Sequence, residues 1–116
     1  METDSQKVLK QLKAGNSRFV SGDLMPKDDY ATLREKLSTG QHPFAVVLCC
    51  SDSRVAPEII FDQKLGDLFV IRNAGNIVDE EVLWLHRICS RTSGDALGGR
   101  HGTRILRCGH CNLSRR

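Results

Sequence analysis

Two short, unbroken apolar runs constrain this chain more than any other feature. Phe44-Ala45-Val46-Val47-Leu48-Cys49 and Leu68-Phe69-Val70-Ile71 lack the alternation of a half-exposed strand and are too short for a buried helix. Runs of this kind form strands covered on both faces. A polar string follows each at once: Ser51-Asp52-Ser53-Arg54 after the first, Arg72-Asn73-Ala74-Gly75-Asn76 after the second. Between them Pro57 suits the first turn of a helix, Glu58 sits well at the positive end of its dipole, and Asp62 to Asp67 reads as a turn. Strand, helix and strand joined this way cross over right-handedly, so the two strands are expected to be adjacent and parallel. The class is α/β with a parallel sheet. In such sheets the loops at the carboxyl ends of the strands build the binding crevice. Cys50 to Arg54 and Arg72 to Asn76 occupy that position.

The upstream segment reads as helical. Thr3, Asp4 or Ser5 can cap a first helix whose Val8, Leu9 and Leu12 share a face, and Gly15-Asn16 is a stop signal for it. Phe19 and Val20 then serve as apolar anchors, and residues 23–30 form a loop. A second helix is expected from near Asp29 to Ser38, with Leu33 and Leu37 spaced by four and Thr39-Gly40 ending it. Asp79-Glu80-Glu81 reads as the solvated first turn of a further helix.

The chain has 116 residues, enough for one small domain. No apolar run approaches the ~18 residues of a membrane span. The acidic start, Met1-Glu2-Thr3-Asp4, has no secretory character, so a cytoplasmic location is expected. Five cysteines in such a chain point to thiols or metal ligands rather than a disulfide framework. The net charge of +3 conceals a seam. Residues 1–83 carry six Lys and four Arg against thirteen acids, a net −3; residues 84–116 carry seven Arg against Asp95 alone, a net +6. The second segment contains no Val, Phe, Tyr or Glu, yet holds three of the five Cys and three of the four His. One fold does not usually change composition so abruptly.

Cys50-x-Asp52-x-Arg54 is the sharpest chemical feature. A thiolate at a strand end is a natural zinc ligand. Asp52 and Arg54 can pair bidentately, which fixes the carboxylate and keeps it ionised. Spacing alone leaves a second reading open, a buried cysteine followed by a surface ion pair.

The wider strings are more specific. Cys50-Ser51-Asp52-Ser53-Arg54-Val55-Ala56-Pro57-Glu58 and Gly66-Asp67-Leu68-Phe69-Val70-Ile71-Arg72-Asn73-Ala74-Gly75-Asn76 closely resemble the β-class carbonic anhydrases. Gly15-Asn16-Ser17-Arg18-Phe19-Val20 and Pro43-Phe44-Ala45-Val46-Val47 resemble the bacterial members. The resemblance covers about residues 5–83. It implies a parallel-sheet α/β fold, here truncated after the second strand, and a zinc enzyme, a lyase that is at least dimeric and hydrates carbon dioxide to bicarbonate. By match, Cys50 is the first zinc ligand. Asp52 and Arg54 are the catalytic dyad, with Asp52 either closing the metal site as a ligand or turning to Arg54 to orient metal-bound water.

The family's remaining ligands lie in a Gly-His-x-x-Cys-Gly loop after the next strand, and that loop has no counterpart here. The nearest string is Cys108-Gly109-His110-Cys111. Back-translation accounts for the loss. Read one nucleotide later, Trp84 (TGG) must yield Gly. Gly98, Gly99 and Arg100 permit Val, Thr103 before Arg104 permits His, and Leu106 before Arg107 permits Cys. The window permits G-S-I-E-Y-A-A-E-H-L-G-T-P-W-V-V-V-M-G-H-E-S-C-G-A-V-T-A, which resembles the family's continuation, ligand loop included. The expectation is therefore a frameshift near Leu83–Trp84. It leaves residues 1–83 as the N-terminal part of the domain and 84–116 as a poorly ordered, out-of-frame tail. Such a chain is expected to bind zinc weakly and to be inactive. The alternatives are a non-catalytic zinc-binding fragment, or a binding protein whose basic tail meets an anionic partner. A nucleic-acid partner is not expected, because the tail has one aromatic residue and no stacking platform.

Overall fold

In the computed structural model, residues 4–92 and 106–107 are described. The element order is α1 (Asp4–Ser21), α2 (Tyr30–Leu37), β1 (Ala45–Cys50), α3 (Pro57–Ile60), β2 (Leu68–Asn73), a 3-10 turn (Ala74–Asn76), α4 (Glu80–Thr92) and β3 (Leu106–Arg107). β1 and β2 pair in parallel, with Ala45 opposite Leu68 and Cys50 opposite Asn73. The sheet order is β2-β1-β3, which places the Cys-terminated strand at the centre.

The core follows the alternation of β1. Ala45, Val47 and Cys49 face α1 through Leu12, joined by Leu68 and the half-buried Val8, Phe44, Phe61 and Val70. Val46 and Leu48 face the other way, against Ile71, Phe69 and Val82 of α4. Both faces of β1 are thus covered, which is why its sequence is unbroken by polar residues. The expected strands and their parallel pairing are present, with β1 starting and ending one residue later than the apolar run and β2 continuing past Ile71 to Asn73.

Local signals account for several boundaries. Asp29 caps α2, its carboxylate accepting from the Thr32 amide at 3.2 Å. Pro57 opens α3, although that helix lasts only four residues. Asp79 caps α4 by accepting from the Val82 amide at 2.8 Å.

Two expectations are corrected. Gly15-Asn16 does not stop α1, which runs on to Ser21. Gly15 is instead a point of close approach: a Cβ there would lie 1.8 Å from the Phe61 carbonyl oxygen. Asn16 continues the helix and donates its side-chain amide to the Ile60 carbonyl at 3.1 Å. Second, helical structure does not dissolve at residue 84; α4, once capped at Asp79, continues to Thr92. Leu106 and Arg107 add a short third strand, opposite Val47 and Leu48. The rest of the tail, Cys108 to Cys111 included, lies outside the described residues, and so does its expected poor order.

Candidate functional site

The carboxyl ends of β1 and β2 bring the two polar strings together. The ladder continues one bond past β1, where the Ser51 amide donates to the Asn73 carbonyl at 2.8 Å. Beyond it the chain turns back on itself, and the Val55 amide meets the Asp52 carbonyl at 3.2 Å.

Asp52 and Arg54 form the expected pair. Arg54 Nε donates to both carboxylate oxygens, at 2.9 and 3.2 Å, and Nη2 donates to Oδ2 at 2.6 Å. The Arg54 backbone amide adds a fourth bond, to Oδ1, at 2.9 Å. These bonds, the guanidinium's first and the amide's second, hold the Asp52 carboxyl well below the usual carboxylate range. Reciprocally, Arg54 is raised by its bonds to Asp52, with a smaller Coulombic share from Cys50. Asp52 is therefore an anion with both oxygens engaged.

Cys50 is half-buried at the end of β1. Its sulfur accepts from the Gly75 amide at 3.4 Å. Gly75 can aim its N–H there because its φ of 76° lies in the left-handed region that favours glycine. Asn73 fixes the turn from below. Its side chain accepts from the Ile77 amide at 2.8 Å and donates to the Ile77 carbonyl at 2.7 Å. Cys49, one residue earlier, is fully buried in the core, as the strand's alternation requires.

Arg72 is a site residue that sequence reasoning did not single out. From β2 it reaches across to donate to three carbonyls of the neighbouring loop: Cys50 at 3.0 Å, Asp52 at 2.7 Å and Val55 at 3.4 Å. The loop carrying the cysteine and the dyad is therefore clamped from the second strand. The available signal was Arg72's place at the first polar position after the run Leu68 to Ile71.

Catalytic zinc takes three protein ligands and keeps one position open. The described residues do not fit it. At this edge they offer one sulfur, Cys50, and one carboxylate, Asp52, already held by Arg54. Among the described residues, no group of three or more His, Cys, Asp or Glu side chains is placed to hold a metal ion. The sequence also contains one His-x-x-Cys spacing, His86 to Cys89. It falls inside α4, not in a loop after a strand.

Comparison with known proteins places this edge in context. A sequence model of the carbonic anhydrase family matches residues 45–112, a span that crosses the compositional seam and includes Cys108 to Cys111. Carbonic anhydrase 2 of Mycobacterium tuberculosis is 53% identical over 81 residues, which cover 70% of this chain and 39% of that protein. Carbonic anhydrase of Mycolicibacterium smegmatis is 51% identical over 74 residues, covering 64% of this chain and 36% of that protein. The solved structure of the β-carbonic anhydrase CcaA superposes with a TM-score of 0.50 at 33% identity, covering 78% of this chain and 44% of that one. The chain thus spans about two fifths of the length of these curated relatives.

Proposed function

Since the chain belongs to the carbonic anhydrase family, we propose that its Cys50–Asp52–Arg54 edge is one half of the family's zinc site. In this reading Cys50 is a metal ligand. Asp52 and Arg54 are the dyad, and the reaction class is the hydration of carbon dioxide to bicarbonate and a proton. The 116-residue chain itself binds zinc weakly and does not turn over. Residues 1–83 represent the N-terminal part of the catalytic domain, and residues 84–116 are read out of frame.

The observation that supports this most is the state of Asp52. Its two oxygens take four hydrogen bonds from Arg54. Beside it, among the described residues at this edge, Cys50 supplies one sulfur, against the three ligands a catalytic zinc needs. Removing a supporting residue around a metal typically costs 10–100-fold in affinity or activity, and loss of two direct ligands costs more. No described helix is long and apolar enough to cross a membrane. The reading places the protein in the cytoplasm, with carbon dioxide and bicarbonate as small-molecule partners and a homodimer as the assembly.

The test is stopped-flow carbon dioxide hydration, with zinc measured by atomic absorption. It compares the chain with a version whose frame is shifted by one nucleotide from codon 84. The expected result is a rate no faster than buffer and substoichiometric zinc for the chain, with tight zinc and activity for the shifted version. Strong hydration by the 116-residue chain would overturn the reading and direct the search for ligands to His110 and Cys111.

A further inference from the structure

A second polar constellation lies at the other end of the sheet. Asp67 precedes β2, and its carbonyl accepts from the Phe44 amide at 2.9 Å just before β1 begins. Cys50 closes the same strand six residues on, or ~20 Å away. Here α1, residues 23–28 and the turn from Asp62 to Asp67 enclose a cleft of about 320 Å³. That volume is at the lower end of the range for small-molecule sites.

The cleft is organised around Asp62, whose side chain is fully buried. Asp62 Oδ2 accepts from Arg18 Nε at 2.5 Å and from the Met25 amide at 3.1 Å, and Oδ1 accepts from Lys27 Nζ. Two cations therefore converge on one carboxylate. Lys27, first, and Arg18, second, hold the Asp62 carboxyl well below the usual range, so it stays charged.

What matters for binding is the part of Arg18 that Asp62 does not use. Only Nε is engaged; the two terminal guanidinium nitrogens have no partner among the described residues. The side chain is 30% exposed and lines the cleft. Arg18's fork is thus anchored at its base and open at its tip. A planar pair of oxygens matches that geometry with two parallel bonds. The other charges do not oppose this. Lys64 is tied to Asp28 at 3.1 Å, and Asp67 accepts from the Lys64 amide at 2.8 Å. The lining side chains Arg18, Lys27 and Lys64 outnumber Asp62 and Asp67 by one positive charge. Ala14, Met25 and Pro26 supply an apolar wall beside the fork.

We propose that this cleft binds a small monocarboxylate, its two oxygens on the terminal nitrogens of Arg18 and its short apolar tail against Ala14, Met25 and Pro26. The site is separate from the Cys50 edge, and the proposal stands whether or not the chain has hydratase activity. Because the same Arg18 holds Asp62, an occupant also ties α1 to the turn before β2.

The probe is butyrate, titrated into the full chain with chemical shifts of the Arg18 side chain and the Met25 amide as readout. Inorganic phosphate at matched ionic strength is the control anion, and bicarbonate is the second carboxylate-like arm. The expected result is saturable butyrate shifts with a Kd in the millimolar range. Bicarbonate and phosphate should both bind more weakly for want of a tail. Arg18→Lys keeps a cation for Asp62 but removes the fork, and should weaken butyrate about 10-fold or more. Ala14→Leu fills the cleft from an exposed helix position without touching the Asp62 bonds, and should do the same while leaving the fold intact. Unchanged shifts at about ten times a millimolar Kd would overturn the proposal. So would phosphate shifts equal to butyrate's, or undiminished binding by a folded Ala14→Leu protein.

Discussion

Replacing Gly15 with alanine tests how α1 is seated, and the sign of the effect carries the argument. On an isolated helix the change would stabilise by about 1 kcal/mol, since glycine is the poorest ordinary helix former. In this structure the new Cβ would stand 1.8 Å from the Phe61 carbonyl oxygen, 2.7 Å from its carbon and 3.0 Å from Gln63 Nε2. The first two are backbone atoms that cannot rotate away. The helix must retreat by roughly 1.5 Å to restore ordinary contact, given optimal separations near 3.5 Å. Such a retreat breaks the bond from Asn16 to the Ile60 carbonyl, now 3.1 Å, and that from Gln11 to Gln63, now 3.3 Å. It also loosens Leu12 from the core. Overpacking costs about 1–3 kcal/mol and each lost hydrogen bond about 1 kcal/mol. After the helix gain is subtracted, the net loss is about 3 kcal/mol. For a domain of this size that lowers the thermal midpoint by more than ~10 °C. Urea and thermal unfolding followed by far-ultraviolet circular dichroism measure it, with the exposed Ser17→Ala as a control expected within about 0.5 kcal/mol of the parent. A Gly15→Ala protein as stable as the parent, or more so, would refute the close-approach account.

Two further outcomes follow from named contacts. Arg72→Met removes three bonds to the carbonyls of Cys50, Asp52 and Val55. Amide hydrogen exchange at Val55 should accelerate at least ~10-fold while the amides of β1 stay protected, and equal acceleration at both would contradict a local clamp. The second concerns pH. The folded Asp62 carboxyl is depressed by Lys27 and then Arg18, so its stabilising contribution is fully present above the unfolded value, about 4. That contribution is lost as pH falls from there through the folded value. The stability advantage over Asp62→Asn should therefore be constant from pH 5 to 8, or roughly so, and shrink below about pH 4. An advantage that grows on acidification would reverse the assigned sign.

Local sequence specifies those parts of this protein whose cause lies within a few residues. The unbroken runs ending in Cys49 and Ile71 specified two strands buried on both faces, and with the intervening Pro57 they specified parallel pairing. Asp29 marked the start of α2. Asp52 and Arg54, two residues apart after a strand, could be paired on paper because a guanidinium two positions on reaches back to a carboxylate. Features that depend on partners far along the chain emerge only on folding. Gly15 looks like a helix stop until Phe61 packs against it. Asp62 sits in a stretch that reads as a turn, and only folding brings Arg18 and Lys27, 44 and 35 residues earlier, onto its carboxylate. Arg72 is one more polar residue after an apolar run until the parallel register sets β2 beside the loop that leaves β1. Gly75 acquires its role only when its amide meets the Cys50 sulfur, 25 residues away. The physical reason is common to all four. Propensity, periodicity and capping act over one or two turns of chain and leave a trace in local sequence. A single contact between distant residues has no period, and it exists only once the core has fixed where the two segments lie.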